Sequence, residues 1–366
     1  MFNRVAIIGT GLMGGSLAMA IKALGAGEVV ACDISGQARS DAVEMHVADI
    51  VEDTPSKAVR NADMVFIATP ISAIPAALED AAPAMDTSAI VSDLASAKLG
   101  VIRAIELVLP RGVRYVGGHP MTGSEQSGVR SARPDLFKGM YYILTPTETT
   151  DPAAFQSLHS LLTAIGARVI SMDPESHDRV MATISHVPHL LSLLLMEMAA
   201  SEREQMKNVF TLAAGGFRDM TRIAASSPAI WMDIVSENRV YIIERLRDYS
   251  GRVGELIEVL ERDDLEALEK MFKDARAARA ELSRKSGAEI SDLYAISLPV
   301  PDEPGVISRI TTAIGALGTN IEDISIVHPL EGETGILTLK VLGETGAIDA
   351  AAELKSMGYP VSLERA

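Results

Sequence analysis

The opening of the chain constrains its fold more than any other stretch. Val5-Ala6-Ile7-Ile8 is an apolar, β-type run, and it feeds directly into Gly9-Thr10-Gly11-Leu12-Met13-Gly14-Gly15-Ser16, a G-x-G-x-x-G turn followed by a helical segment. In such a turn the first glycine lets the chain leave the strand sharply. The second lets a pyrophosphate approach the backbone, and the third lets the helix pack close to the sheet. The helix start offers unpaired N–H groups and the positive end of its dipole to phosphates. A second strand, residues 28–32, ends at Asp33, at about the twenty-residue spacing that a dinucleotide fingerprint requires. A carboxylate there bonds the ribose hydroxyls of NAD and repels the 2′-phosphate of NADP. Gly9, Gly11, Leu12, Met13, Gly14 and Asp33 are therefore the expected NAD-binding residues, joined by Thr69 and Pro70 at the end of a strand over 63–70.

The rest of the chain divides into three expected domains. Through residues 1–172 strand signals (63–70, 89–93, 115–120, 141–146, 168–170) alternate with helical ones (98–108, 155–165). That order predicts an α/β, doubly wound, largely parallel sheet of Rossmann type. Ligands in such sheets sit beyond the C-terminal strand ends, where the loops at Pro70, 93–96 and His119 fall. Residues 173–290 carry helical spacing over 176–183, 188–207, 227–259 and 265–285, an all-α domain whose charge-laced long helices are of a kind that often forms dimer interfaces. Residues 293–366 read strand, helix, strand, strand, helix, strand, a βαββαβ ferredoxin-like order.

Composition narrows the function. Of 366 residues, 48% are hydrophobic but only 4% aromatic, so the cores are expected to be aliphatic. The single cysteine, Cys32, excludes an internal disulfide and a cysteine-based zinc site. No basic leader precedes the first strand, and the apolar run 187–198 is too short to span a bilayer and holds Pro188, His189 and Glu197. A cytoplasmic protein without a membrane is the expectation. A net charge of −16 argues against nucleic acid and anionic membrane as partners. An anionic small-molecule substrate would then need arginine and histidine gathered locally.

Four clusters meet that need. In Ser92-Asp93-Leu94-Ala95-Ser96-Ala97-Lys98, Ser96 can bond a substrate hydroxyl or nicotinamide; equally, Asp93 or Ser96 can simply cap the helix that follows. In Gly117-Gly118-His119-Pro120-Met121-Thr122-Gly123-Ser124-Glu125, a histidine held in a turn suits general acid–base work; taken alone, a loop histidine bonded to backbone is the better reading. Glu125 can orient a ligand. Ser185-His186-Val187-Pro188-His189 suggests an anion site, with zinc as a weaker rival for want of a third regularly spaced ligand. In Gly215-Gly216-Phe217-Arg218-Asp219-Met220-Thr221-Arg222, Arg222 can hold a carboxylate by a two-pronged bond, and Arg218 can do the same. Trp231 can wall an aromatic pocket or serve as an ordinary core residue.

Taken with the glycine turn, these motifs resemble the prephenate dehydrogenase family, with arogenate dehydrogenase as its sister activity, over essentially the whole chain. The family's usual Ser-Val-Lys stands here as Ser96-Ala97-Lys98. The resemblance implies an NAD-dependent oxidative decarboxylation of prephenate to 4-hydroxyphenylpyruvate in tyrosine biosynthesis, or of arogenate to tyrosine. It implies that His119 accepts the ring hydroxyl's proton and that Ser96 places that hydroxyl. Arg222 would grip a carboxylate, His186 and His189 would line the pocket, and Glu125 would close it. It also implies a homodimer. The C-terminal unit resembles an ACT domain, a module that commonly binds amino acids, which implies tyrosine feedback through Asp302, Pro304, Gly305, Asn320 and Ile321. Two other readings start from the same turn: a β-hydroxyacid dehydrogenase, with Lys207 as its nearest acid–base candidate, and an amino-acid sensor that keeps NAD for structure.

Overall fold

The computed structural model describes residues 2–122, 127–203, 208–285, 293–301, 303–327 and 334–365; Glu125, Lys207 and Asp302 lie outside them. By contacts the chain groups into residues 1–253 and 254–366.

The first unit is built on an eight-stranded sheet: β1 (Arg4–Ile8), β2 (Glu28–Cys32), β3 (Ile50–Glu52), β4 (Met64–Ile67), β5 (Ile90–Asp93), β6 (Arg114–Pro120), β7 (Tyr141–Thr145) and β8 (Arg168–Ser171). Their order is β3-β2-β1-β4-β5-β6-β7-β8. Every pairing is parallel except β6 with β7. The short β3 carries no strand signal strong enough to read in the sequence. Strands buried on both faces read as continuous apolar runs, and β1 shows why: Val5 and Ile7 enter one hydrophobic cluster, Ala6 and Ile8 the other. Cys32 is buried at the end of β2, where burial pushes its thiol up to about 12, so it is a packing group rather than a nucleophile.

The helical part departs from the expected segments at two places. Helix Pro174–Met181, a π-helical turn over Ala182–His186 and helix Val187–Glu202 form one continuous rod where two separate helices were expected. The rod has 29 residues, and one 18-residue window of it reaches a mean hydropathy of 1.3, enough to cross a membrane by length and composition, a test that the core helix of a soluble protein also passes. The expected helix over 227–259 is two helices, Pro228–Glu237 and Arg239–Glu261, broken at Asn238 (φ −100, ψ 19). At the break the Asn238 side chain makes tertiary bonds, while its backbone keeps the helical ones to Ile234 and Ile242.

The second unit contains the helix Leu265–Lys285 and a four-stranded antiparallel sheet of β9 (Leu293–Pro301), β10 (Ile321–Val327), β11 (Thr334–Leu342) and β12 (Ser362–Arg365), in the order β10-β11-β9-β12. Helices Val306–Ala316 and Glu344–Ser356 connect the strands as β-α-β-β-α-β. Ile296, Leu298 and Val300 alternate along β9 into the core shared with Ile310 and Ile314, the period-2 pattern of a sheet with one covered face.

Candidate active site

Because β1, β4, β5 and β6 run parallel, Gly9, Thr69, Ser96 and His119 all emerge at one edge of the sheet. At the glycine turn, Gly9 has φ +99 and a Cβ on Gly14 would lie 1.9 Å from the Gly9 carbonyl oxygen, whereas a Cβ on Gly11 would meet nothing within 4 Å. The helix Leu12–Ala23 thus packs hard on the turn while the cradle above Gly11 stays open. The first helical bond is made by Gly15 N–H to Gly11 O (2.9 Å), which leaves the N–H groups of Leu12, Met13 and Gly14 without a helical partner. The Leu12 and Met13 side chains pack on the core. Asp33 is oriented by three donors: Thr10 N–H (2.9 Å) and Thr10 Oγ1 (3.1 Å) on Oδ2, and Ser35 N–H (2.9 Å) on Oδ1. Gly9, Gly11, Asp33, Thr69 and Pro70 line a cleft of about 540 Å³, and Thr69 Oγ1 is buried without a protein partner. An open phosphate cradle, a fixed carboxylate and an unsatisfied hydroxyl fit a dinucleotide.

His119 lies within β6 rather than in a turn, and it is 8% exposed. The strand can pass there because Gly118 has no side chain: a Cβ would stand 2.8 Å from Asp93 O. His119 Nδ1 bonds His177 Nε2 (2.8 Å), and His177 Nδ1 bonds Asp178 Oδ1 (2.8 Å). The Asp178 carboxylate also accepts Lys98 N–H (2.8 Å) and Leu99 N–H (2.9 Å). A carboxylate only accepts, so donor counting fixes both rings. His177 Nδ1–H donates to Asp178, His119 Nδ1–H donates to His177 Nε2, and His119 Nε2 keeps its lone pair. Burial is the main force that holds His119 well below the usual histidine range, with His177, Lys98 and His186 adding to it. The ring is therefore neutral at neutral pH, as a base must be.

Two buried supports hold this chain in place. Lys98, with no exposed surface, donates from Nζ to Gly118 O (2.7 Å) and pairs with Asp93. Asp93 also takes Ala95 N–H (2.8 Å) and the Tyr115 hydroxyl. Neither Asp93 nor Ser96 caps the helix Leu99–Val108; Asp178 does, from 80 residues away. Ser96 stands partly exposed in the loop before that helix. On the helical side, Asn238 Nδ2 donates to Asp178 O (2.8 Å) and to His186 Nδ1 (2.9 Å). Burial lowers His186 to about 4. Trp231 stacks on His189 at 3.5 Å between ring centres and meets His186 edge-on at 6.0 Å. Burial lowers His189 as well.

The structure thus brings His119, His186 and His189 into one neighbourhood through three residues the sequence reading did not single out: His177, Asp178 and Asn238. The adjacent His-Asp pair opening the first helix after β8 was the available signal. Arg218 on the helix Gly215–Thr221 and Arg222 just beyond it are exposed, and the turn Arg222–Ala225 packs against the helix that carries His189. Among the described residues no group of three or more potential ligands is placed to hold a metal. In the second unit, Pro304 and Gly305 are exposed, Gly305 (φ +91) precedes helix Val306–Ala316, Asn320 Nδ2 donates to Glu322 Oε1 (2.7 Å), and Ile321 packs on the core.

Comparisons with known proteins show the family. Residues 17–171 match the family profile "Prephenate dehydrogenase, nucleotide-binding domain", and residues 173–274 match "Prephenate dehydrogenase, dimerization domain". The chain is 37% identical to a prephenate dehydrogenase of Bacillus subtilis over 341 residues, 93% of this chain and 92% of that one. It is 34% identical to a cyclohexadienyl dehydrogenase of Zymomonas mobilis over 283 residues, 77% and 96% of the two chains. The solved structure of A. aeolicus prephenate dehydrogenase in complex with hydroxyphenyl propionate and NAD+ superposes with a TM-score of 0.73 at 29% identity, covering 77% of this chain and 99% of that one.

Proposed function

The chain belongs to the prephenate dehydrogenase family, and on that premise we propose that it oxidatively decarboxylates prephenate to 4-hydroxyphenylpyruvate with NAD, a step of tyrosine biosynthesis. The observation that carries this reading is the His119–His177–Asp178 chain, which leaves His119 Nε2 as a neutral lone-pair site at the sheet edge where the nucleotide turn also opens.

NAD, when bound along Gly9–Gly14, Asp33, Thr69 and Pro70, supplies the hydride acceptor. The ring hydroxyl gives its proton to His119 Nε2 as hydride leaves the same carbon. The bond to the ring carboxylate then breaks, its electron pair enters the ring, and CO2 departs. The resulting phenol oxygen takes the proton back from His119. Aromatisation makes the step irreversible, so the protein's work is alignment and proton handling. Asp178 and His177 hold the His119 tautomer, Ser96 places the hydroxyl, and Arg222 grips a substrate carboxylate with help from Arg218. His186, His189 and Glu125 line and close the pocket.

We read residues 1–172, 173–290 and 293–366 as nucleotide-binding, dimerisation and regulatory domains of a cytoplasmic homodimer with no membrane or nucleic-acid partner. The β10-β11-β9-β12 order with two connecting helices supports a ferredoxin-like, ACT-type reading of the last. Tyrosine would bind it near Asp302, Pro304, Gly305, Asn320 and Ile321. The test is NADH formation with prephenate and with arogenate, each with and without tyrosine. Prephenate turnover suppressed by tyrosine is expected. Preference for arogenate would move only the substrate pocket, and no turnover of either would overturn the reading.

A further inference from the structure

Beside the nucleotide cleft stands a cation that the reaction does not use. Arg39 lies on the helix Gly36–Glu44, just past β2. Its Nη1 donates to Asp33 O (2.8 Å) and Ile34 O (3.0 Å). The guanidinium is thus seated on the backbone of the very residue whose carboxylate faces the ribose. Among the described residues Arg39 makes no ion pair within salt-bridge distance; the neighbouring Asp53 is engaged by Lys57 at 2.7 Å. Arg39 also lines an open groove with Glu52, Asp53 and Lys57 beside the main cleft.

Dinucleotide folds select NAD with an acid at the ribose 2′ position and accept NADP through an arginine near it. This chain has both. We propose that Arg39 is a dormant anchor for a nucleoside 2′-phosphate, kept out of use chiefly by the Asp33 carboxylate. This rests on the NAD reading above. A phosphate monoester entering now meets a carboxylate already held by Thr10 and Ser35. Replacing Asp33 with an uncharged residue removes that repulsion. It also releases the Thr10 N–H, the Thr10 hydroxyl and the Ser35 N–H as donors at the spot Arg39 overlooks. Arginine then binds the phosphate through two parallel bonds.

The test uses calorimetric titration of the full chain with 5′-AMP and with 2′,5′-ADP, the adenosine ends of NAD and NADP. Wild type is expected to bind 5′-AMP and to bind 2′,5′-ADP at least about tenfold more weakly. Asp33→Ser, and the isosteric Asp33→Asn that preserves packing, are expected to tighten 2′,5′-ADP about 10- to 100-fold, the scale of one or two charge-assisted bonds. Adding Arg39→Met to Asp33→Ser should abolish that gain while leaving 5′-AMP within about threefold of the single variant. A gain that survives Arg39→Met, or no gain in either Asp33 variant while wild type binds 5′-AMP, overturns the proposal. Failure of wild type to bind either 5′-AMP or NAD would instead overturn the cofactor reading beneath it.

Discussion

The nucleotide turn and the histidine cluster share one edge of one sheet but are assembled by different means. Around Gly9–Gly14 the chemistry is carried by backbone: unpaired N–H groups, and close packing possible only without side chains. Asp33, the one side chain fixed there, is held by residues within 23 positions of it. Around His119 the contacts are side chain to side chain or side chain to a distant backbone group, and they join segments 58 and 80 positions apart. A backbone-built site is insensitive to pH, though its Gly9 and Gly14 admit no side chain. A chain of buried side chains fails at any link, and it reports on protons because its rings are held neutral against their ordinary preference.

The largest effect expected from this contrast is that of His119→Asn. It should lower kcat by about 10³-fold, within the range for a lost general base, while KM for NAD and prephenate moves little. A kcat within tenfold of wild type would place the base elsewhere and dissolve the comparison. Next comes pH. Burial lowers His119, His177, His186 and His189 in the fold, whereas the unfolded chain takes up protons at the ordinary histidine value. The fold is therefore penalised as pH falls below about 6.5, and His186 alone costs roughly 3 kcal/mol by the time pH reaches about 4. Urea midpoints measured at pH 7.5 and 5 should fall accordingly, while NAD affinity stays flat over the range; equal midpoints would mean that the cluster opens to water.

Asp178→Asn tests the link that serves both structure and chemistry. It should cost about 1–3 kcal/mol of stability through the weakened bonds to Lys98 N–H and Leu99 N–H. It should also lower kcat more than KM, because His177 loses the acceptor that fixes its proton. Arg222→Ala should have the smallest effect, a KM for prephenate raised roughly tenfold with kcat nearly unchanged, since a carboxylate grip binds ground and transition states alike. An unchanged KM would put the anion site on other residues.

The same contrast explains what the sequence disclosed. A strand, a glycine turn, a helix and an acid at a set spacing are local, so the nucleotide end could be read residue by residue, and the alternation of strands and helices carried the parallel sheet with it. His119 was legible as a candidate because Gly-Gly and Pro flank it, but not its setting. Its partner His177 lies on a helix that the sequence reading did not tie to the site, and the two rings meet only in the folded chain, 58 positions apart. Asn238 was hidden inside a stretch whose apolar spacing suits one long helix; its side-chain amide bonds Asp178 O and His186, partners that only the tertiary fold brings near. Capping followed the same logic. Asp93 and Ser96 sit where a local cap belongs, yet buried Asp93 is taken by Lys98 and Tyr115, and the helix is capped from a distant segment.

The wide turn over Ala182–His186 acts as a phase adjuster. His177 and His189 are twelve positions apart. Along an unbroken α-helix, at about 100° per residue, they would point about 120° away from each other. A π turn absorbs one residue of that count and leaves them about 20° apart, so that one rod presents the relay histidine and the pocket histidine along the same side. Removing a single residue between Ala182 and His186 would regularise the rod and keep its two histidines about 20° apart, whereas straightening the turn with every residue kept would swing them about 120° from each other.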